Sequence, residues 1–252
     1  MLPFLESSTP LAFAHRGGAS EVPENTMPAF QHAVDLGYRY IETDVHATAD
    51  GVLLAFHDTK LDRVTDSEGV ISELPYSVVS RALVDGREPI PRLNELLAAW
   101  PELRINIDPK QDNAVDPLVA ALRAHDAIDR VCIGSFSDAR VRRIRAALGP
   151  RVCTSGGPKE IARIYLASRT SVARLRPPDG VHCAQVPVRQ WPIPLVDERF
   201  VAYCHRHGLH VHVWTIDDAS EMERLLDLGV DGLMTDRPII LKQVLQRRNA
   251  WT

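Results

Sequence analysis

The stretch LAFAHRGGASEVPENTMPAFQHAVDLGYRYIETDV, from Leu11 to Val45, holds a strand, a helix and a second strand in succession. The apolar run at 11–14 ends in His15-Arg16-Gly17-Gly18, a helical pattern follows at 24–36, and a second apolar run covers 40–45. Two strands joined by a helical crossover must run parallel, since a short hairpin joins only antiparallel neighbours. The unit then repeats. Strand-like runs recur at 104–108, 131–135, 152–154, 181–184, 210–215 and 232–235. Helical patterns lie at 93–100, 114–125, 137–148, 159–168, 197–207, 219–228 and 239–248. Eight such units predict an α/β fold, a (β/α)8 TIM barrel, which a chain of 252 residues fills as a single domain. A doubly wound open sheet would carry a Gly-rich phosphate turn after an early strand, and no G-x-G-x-x-G occurs.

One segment interrupts the rhythm. Ala49-Asp50-Gly51 is a hairpin signal, so the second strand is expected to turn back over 52–57. The polar, turn-rich stretch 58–88 is too long for a simple loop and is read as a small insertion capping the barrel mouth.

Composition narrows the function. A formal charge of −4 argues against a general nucleic-acid binder, which needs a basic face, but leaves a local anion site open. No run approaches the ~18 apolar residues of a membrane helix, and the N-terminal MLPFLESSTP lacks a basic, then apolar, leader pattern. The expectation is a cytoplasmic protein with no stable membrane anchor. Cys132, Cys153, Cys183 and Cys204 sit in apolar patterns without a C-x-x-C pair, and read as buried free thiols.

In such a barrel, residues at the C-terminal strand ends face the mouth and carry function. His15 and Arg16 end the first strand, giving a proton carrier and a bidentate anion ligand on a glycine turn. On the second strand, alternation puts Glu42 and Asp44 on one face and Ile41, Thr43 and Val45 on the other. The same parity sends Asn106 and Asp108 inward on the third strand, which Pro109 should end. Two or three inward carboxylates repel unless a cation compensates or Arg and Lys pair with them. Three carboxylates without a thiolate suit a hard divalent cation, Mg²⁺, Ca²⁺ or Mn²⁺, with His15 or His57 able to join as a ligand. The return of the hairpin can bring His57 to the same mouth. A metal, an Arg for phosphate oxygens and two histidines describe phosphoryl-ester chemistry.

These residues, in this order, resemble the glycerophosphodiester phosphodiesterase family over 14–238. The blocks are Ala14-His15-Arg16-Gly17-Gly18 with Pro23-Glu24-Asn25-Thr26, then Glu42-Thr43-Asp44-Val45 with Asp50-Gly51 and His57-Asp58. Ile90-Pro91-Arg92-Leu93, Trp214-Thr215 and Asp231 through Pro238 complete them. The resemblance implies Ca²⁺- or Mg²⁺-dependent cleavage of a small glycerophosphodiester to glycerol 3-phosphate and an alcohol; the expected route, with two histidines as acid and base, passes through a cyclic phosphate. It implies Glu42, Asp44 and Asp108 as metal ligands, and His15 and His57 as acid–base groups. Arg16 and Lys110 are implied at the phosphate, with Trp214 as an aromatic wall on the glycerol side. Two positions depart from the family pattern: Asp108 replaces a Glu, and Arg92 stands where Thr or Ser opens a helix. The shorter Asp108 would reach a metal through water or draw it closer to the strand.

Other residues read as structural. His46 is expected to be a satisfied polar residue near the rim, and His212 to fill the barrel interior beneath Trp214. His32, His125, His205 and His207 fall in helical patterns and read as surface residues. The apolar segment Trp191-Pro192-Ile193-Pro194-Leu195 reads as a loop packed on its own barrel, or else as a wall for a leaving alcohol or an acyl chain. Competing functions are a lysophospholipase D on the same barrel and a barrel that binds without cleaving.

Overall fold

The computed structural model describes residues 2–170, 176–190 and 192–251. The strands are β1 (Leu11–His15), β2 (Tyr40–Ala47), β3 (Arg104–Pro109), β4 (Val131–Ile133), β5 (Cys153–Thr154), β6 (Cys183–Pro187), β7 (His210–Trp214) and β8 (Gly232–Thr235). They pair in parallel in the order β5-β4-β3-β2-β1-β8-β7-β6. The ring closes between β5 and β6 through a parallel bridge from Ser155 to Cys183, flanked by His182 N–H donating to the Thr154 carbonyl at 3.0 Å. This is the expected (β/α)8 barrel.

The outer helices are α1 (Met27–Asp35), α2 (Leu93–Ala99), α3 (Val115–Ala124), α4 (Asp138–Leu148), α5 (Pro158–Ser168), α6 (Glu198–Arg206), α7 (Ala219–Asp227) and α8 (Pro238–Arg247). Thr26, Ser137, Asp197 and Asp218 cap α1, α4, α6 and α7 by accepting an N–H of the first turn. At α2 the roles reverse. Arg92 gives no side-chain cap, and Glu95 instead accepts both its backbone N–H and its guanidinium. Among the described residues no helix is long and apolar enough to cross a membrane.

Two cores follow from strand parity. Ile41, Val45, Ile105 and Ile107 pack outward against the helices. Phe13, Tyr40, Cys132, Cys153, Cys183 and Met234 fill the barrel interior, with Phe4 and Leu5 of the N-terminal turn packed against them. Each fully buried side chain of this size contributes roughly 1.5–3 kcal/mol. All four cysteines are free and buried, as expected. His212 is also fully buried, with Nδ1 3.3 Å from the Gln185 amide.

The hairpin forms as expected, with Leu53–Ala55 antiparallel to β2. Beyond it, Leu61, Ile71, Val79, Ala82 and Val84 build a separate small core with Leu54, Phe56 and Ile90. From this unit Arg63 reaches the rim, donating to Asp58 and to Glu24.

Candidate active site

His15, Arg16, Glu42, Asp44, His57, Asp108, Lys110 and Trp214 all line one cavity of about 680 Å³ at the C-terminal end of the barrel. The register explains the floor. Asp44 lies beside Asp108 and Glu42 beside Asn106 across β2 and β3, while His15 of β1 lies beside Glu42. Parity sends these side chains inward, as alternation predicted.

The turn after β1 is shaped by close approach. Gly17 has φ +84°, and a Cβ there would lie 2.7 Å from the Ala29 backbone carbonyl carbon. Gly18 has φ +104°, with Pro238 of α8 2.7 Å from the same kind of atom. Arg16 and Asn25 also take left-handed backbone angles. Asn25 donates to Asp44 Oδ2 at 3.3 Å and accepts from Thr43 at 2.8 Å. The predicted helix start at Glu24 therefore gives way to Met27, because Glu24 and Asn25 serve the site: Glu24 accepts from Arg16 Nη1 at 3.1 Å.

Both histidines are held the same way. His15 Nδ1 lies 2.6 Å from Asp236 Oδ1, and His57 Nδ1 lies 2.6 Å from Asp58 Oδ1. An ionised carboxylate only accepts, so each Nδ1 carries the hydrogen and each Nε2 is left as the reactive atom. Asp236 follows β8, whose register places Thr235 beside Ala14, and so delivers the carboxylate to His15. Asp58 is in turn gripped by Arg63, whose hydrogen bonds, against a smaller burial effect, hold the carboxyl down to about 2. His46, fully buried, donates through Nε2 to the His57 carbonyl, 3.0 Å away, and fixes the end of the hairpin.

Charge in the floor is tightly packed. Burial, then the neighbouring Asp44 charge, pushes the Glu42 carboxyl up to about 7 despite His15, Lys110 and Arg16. Burial also raises Asp108, outweighing Lys110. Asp44 goes the other way: burial is overcome by Lys110 and Arg16, and its carboxyl is lowered. Burial works against the charged form of His15, yet Glu42 and Asp236 leave its pKa raised. Lys110 Nζ sits 2.7 Å from both Asp44 Oδ1 and Asp108 Oδ2, and those two charges outweigh burial to raise it.

A hard cation suits these donors in chemistry. Glu42, Asp44 and Asp108 offer only oxygens, and buried Asp108 Oδ1 has no hydrogen-bond partner. In spacing the floor is open. Among the described residues, the trio of ligand atoms lying within 4.8 Å of one another is that of Cys132, Cys153 and Cys183; the three carboxylates stand wider, with Lys110 between two of them. Mg²⁺ commonly takes one or two carboxylates and keeps several waters, so a wide set is compatible with that type of site.

Sequence reasoning left Asp58, Asp236 and Gln185 without roles. Asp58 and Asp236 each carried a signal, one beside His57 and one at the end of a barrel strand. Gln185, which donates to Asn106 Oδ1 at 2.8 Å, lies on β6 beyond the strand expected at 181–184. Its polar side chain faces the interior, where Asn106 and His212 satisfy it, so the strand continues. Trp191 lies outside the described residues, whereas Ile193–Pro194 pairs with Arg189–Gln190 in a short hairpin beside the mouth.

The chain is similar to known proteins along nearly its whole length. The model of the glycerophosphoryl diester phosphodiesterase family matches residues 15–240. A Mycobacterium tuberculosis protein named "Probable glycerophosphodiester phosphodiesterase 2" is 39% identical over 252 residues, covering 98% of this chain and 95% of that one. A crystal structure from Silicibacter pomeroyi DSS-3, assigned as a glycerophosphoryl diester phosphodiesterase, superposes with a TM-score of 0.82 at 22% identity, covering 100% of both chains. A phosphodiesterase from Oleispira antarctica, solved with sn-glycerol-3-phosphate as its product, matches with a TM-score of 0.78 at 23% identity over 94% of this chain and 97% of that one.

Proposed function

The chain belongs to the glycerophosphoryl diester phosphodiesterase family, a family of enzymes, and from that premise we propose a metal-dependent hydrolase releasing sn-glycerol 3-phosphate and an alcohol from glycerophosphodiesters. One observation carries the reading. Two imidazoles, each fixed through Nδ1 by an aspartate, meet in a cavity whose floor is three carboxylates and whose rim holds Arg16.

Arg16 and Lys110 hold the phosphate oxygens, as fixed positive groups do best where charge develops. Lys110 does so by turning from Asp44 and Asp108. Glu42, Asp44 and Asp108 would hold a divalent cation, Ca²⁺ or Mg²⁺ or else Mn²⁺, which when bound supplies Lewis-acid polarisation of a phosphate oxygen and the glycerol 2-hydroxyl. One of His15 and His57 takes the hydroxyl proton at Nε2 as that oxygen attacks phosphorus. The other protonates the departing alcohol, and a cyclic glycerol phosphate results. Water then opens the ring with the two roles exchanged, which restores both histidines. Trp214 walls the glycerol side.

Incubation with glycerophosphocholine tests which bond is broken. The account predicts glycerol 3-phosphate and choline, with transient cyclic glycerol phosphate. Glycerol and phosphocholine as products would overturn it.

A further inference from the structure

Cys132, Cys153 and Cys183 bring their sulfur atoms within 4.8 Å of one another inside the barrel, all three buried and free of disulfides. Topology makes the cluster. Cys132 of β4 lies beside Cys153 of β5 in the parallel register, and Cys183 opens β6, where a bridge to Ser155 joins the two ends of the sheet. Parity turns the three side chains inward, into a core shared with Phe13 and Met234. Cys132 Sγ and Cys183 Sγ stand 3.7 Å apart. Two sulfurs bound about 2.3 Å from one tetrahedral zinc stand about 3.8 Å apart, so this pair already has the spacing of two ligands of one ion. A second observation points to the same place. His212 of β7 is fully buried, and its Nε2 has no hydrogen-bond partner, a costly state for a polar atom in an apolar core. The imidazole reaches the cluster: burial pushes the Cys183 thiol up, but Cys132, Cys153 and His212 together bring it well down.

We propose that the thiolates of Cys132, Cys153 and Cys183 hold a thiophilic divalent cation of the zinc class, with the His212 imidazole as the fourth donor. The imidazole lies outside the 4.8 Å group, so binding turns its ring toward Cys183, and nothing holds Nε2 back. Nδ1 lies 3.3 Å from the Gln185 amide and donates there once that amide turns its oxygen to His212 and to a likewise turned Asn106. This ion is distinct from the one proposed for the carboxylate floor. Sulfur selects soft ions and carboxylate oxygen selects hard ones. Gln185, with its amide nitrogen 3.8 Å from Cys132 Sγ, lines the catalytic cavity and separates the two sites. The role of the ion follows from where the strands meet. Strand β5 is two residues long, and it closes the ring onto β6 through an isolated bridge. An ion held by β4, β5, β6 and β7 ties that seam together, so it stabilises the barrel and takes no part in cleavage.

The test makes the full chain in medium supplemented with Co²⁺ or Zn²⁺, because a buried cluster fills during folding. The protein is kept reduced and dialysed against excess Mg²⁺, which takes the oxygen site. The Co²⁺ protein should hold about one ion per chain, with sulfur-to-cobalt charge-transfer absorption and the visible bands of a tetrahedral site. The Zn²⁺ protein should melt several degrees above the chain made in metal-depleted medium. Cys153→Ala should lose both the ion and the absorption, whereas Cys204→Ala, which removes a buried thiol outside the cluster, should keep them. His212→Asn should weaken binding at least about tenfold and change the visible bands. A mercurial titration of the parent needs no variant: Zn²⁺ should leave as the three clustered thiols react. Co²⁺ protein without the charge-transfer absorption, or absorption that survives in a folded Cys153→Ala, would overturn the site. Zinc retained after every thiol is blocked would overturn it too, and this result decides the matter if Cys153→Ala fails to fold. An unchanged spectrum and affinity in His212→Asn would overturn the fourth donor.

Discussion

Asp236→Asn isolates the positioning of His15 from its chemistry. The bond it alters is 2.6 Å long, between side chains only 14% and 27% exposed, so solvent screens it weakly. Asn keeps the shape but loses the charge, and its amide can present an NH₂ group to Nδ1, which stabilises the wrong tautomer. A charge-assisted hydrogen bond of this type contributes about 1.5–3 kcal/mol. If that energy holds Nε2 free and correctly aimed in the transition state, its loss slows turnover about 10- to 150-fold at roughly 1.4 kcal/mol per decade. Asp236 does not line the cavity, so KM should move little. It also raises the His15 pKa, so the limb of the pH–rate profile due to His15 should shift to lower pH in the variant. The assay is glycerol 3-phosphate release across pH, with thermal melting to confirm folding. A rate within threefold of the parent, with an unmoved profile, would refute the orienting role.

The other perturbations are simpler. His57→Ala should cost about 10²–10⁴ in kcat with the fold retained, and near-full turnover would remove it from the mechanism. Gly17→Ala forces a side chain onto φ +84° and against Ala29, so stability should drop by about 1–3 kcal/mol and activity with it; a parent-like melting temperature would contradict the close approach. Asp58 is held down to about 2, below its usual ~3.9, so its stabilisation is complete above pH ~4 and is lost as pH falls through 2. Arg63, the main cause, is 48% exposed, which discounts the effect to below about 1 kcal/mol. The melting difference between the parent and Arg63→Ala should therefore be small at pH 7 and vanish toward pH 2; a difference that grows on acidification would reverse the sign.

The barrel was legible because its signal is periodic. Alternation along 40–45 and 104–108 placed Glu42, Asp44 and Asp108 on the inner face, and the register bears that out. The misses have local causes. Helix α1 starts at Met27 rather than Glu24 because Asn25 takes a left-handed angle to reach Asp44. Strand β6 runs on to Pro187 because Gln185 is satisfied inside the barrel by partners far away in sequence. The Asp236–His15 pair spans 221 positions, so only the closing of the ring brings it together. The apolar lining that Leu166 and Ile193 add to the cavity was half legible. The 191–195 segment showed its hydrophobicity, but Leu166 read as one more helix residue until α5 was seen to overlook the mouth.

The central claim is that a hydrolytic site for glycerophosphodiesters works through a cation held by Glu42, Asp44 and Asp108. Its most direct test is glycerol 3-phosphate release from glycerophosphocholine by EDTA-stripped protein, with Ca²⁺, Mg²⁺ or Mn²⁺ restored singly, beside Glu42→Gln under the same conditions. The account predicts no release without metal, recovery with at least one of the three, and a Glu42→Gln variant that binds that ion weakly and stays nearly inactive. Full release by the stripped protein, or a Glu42→Gln variant as active and as metal-responsive as the parent, would contradict it.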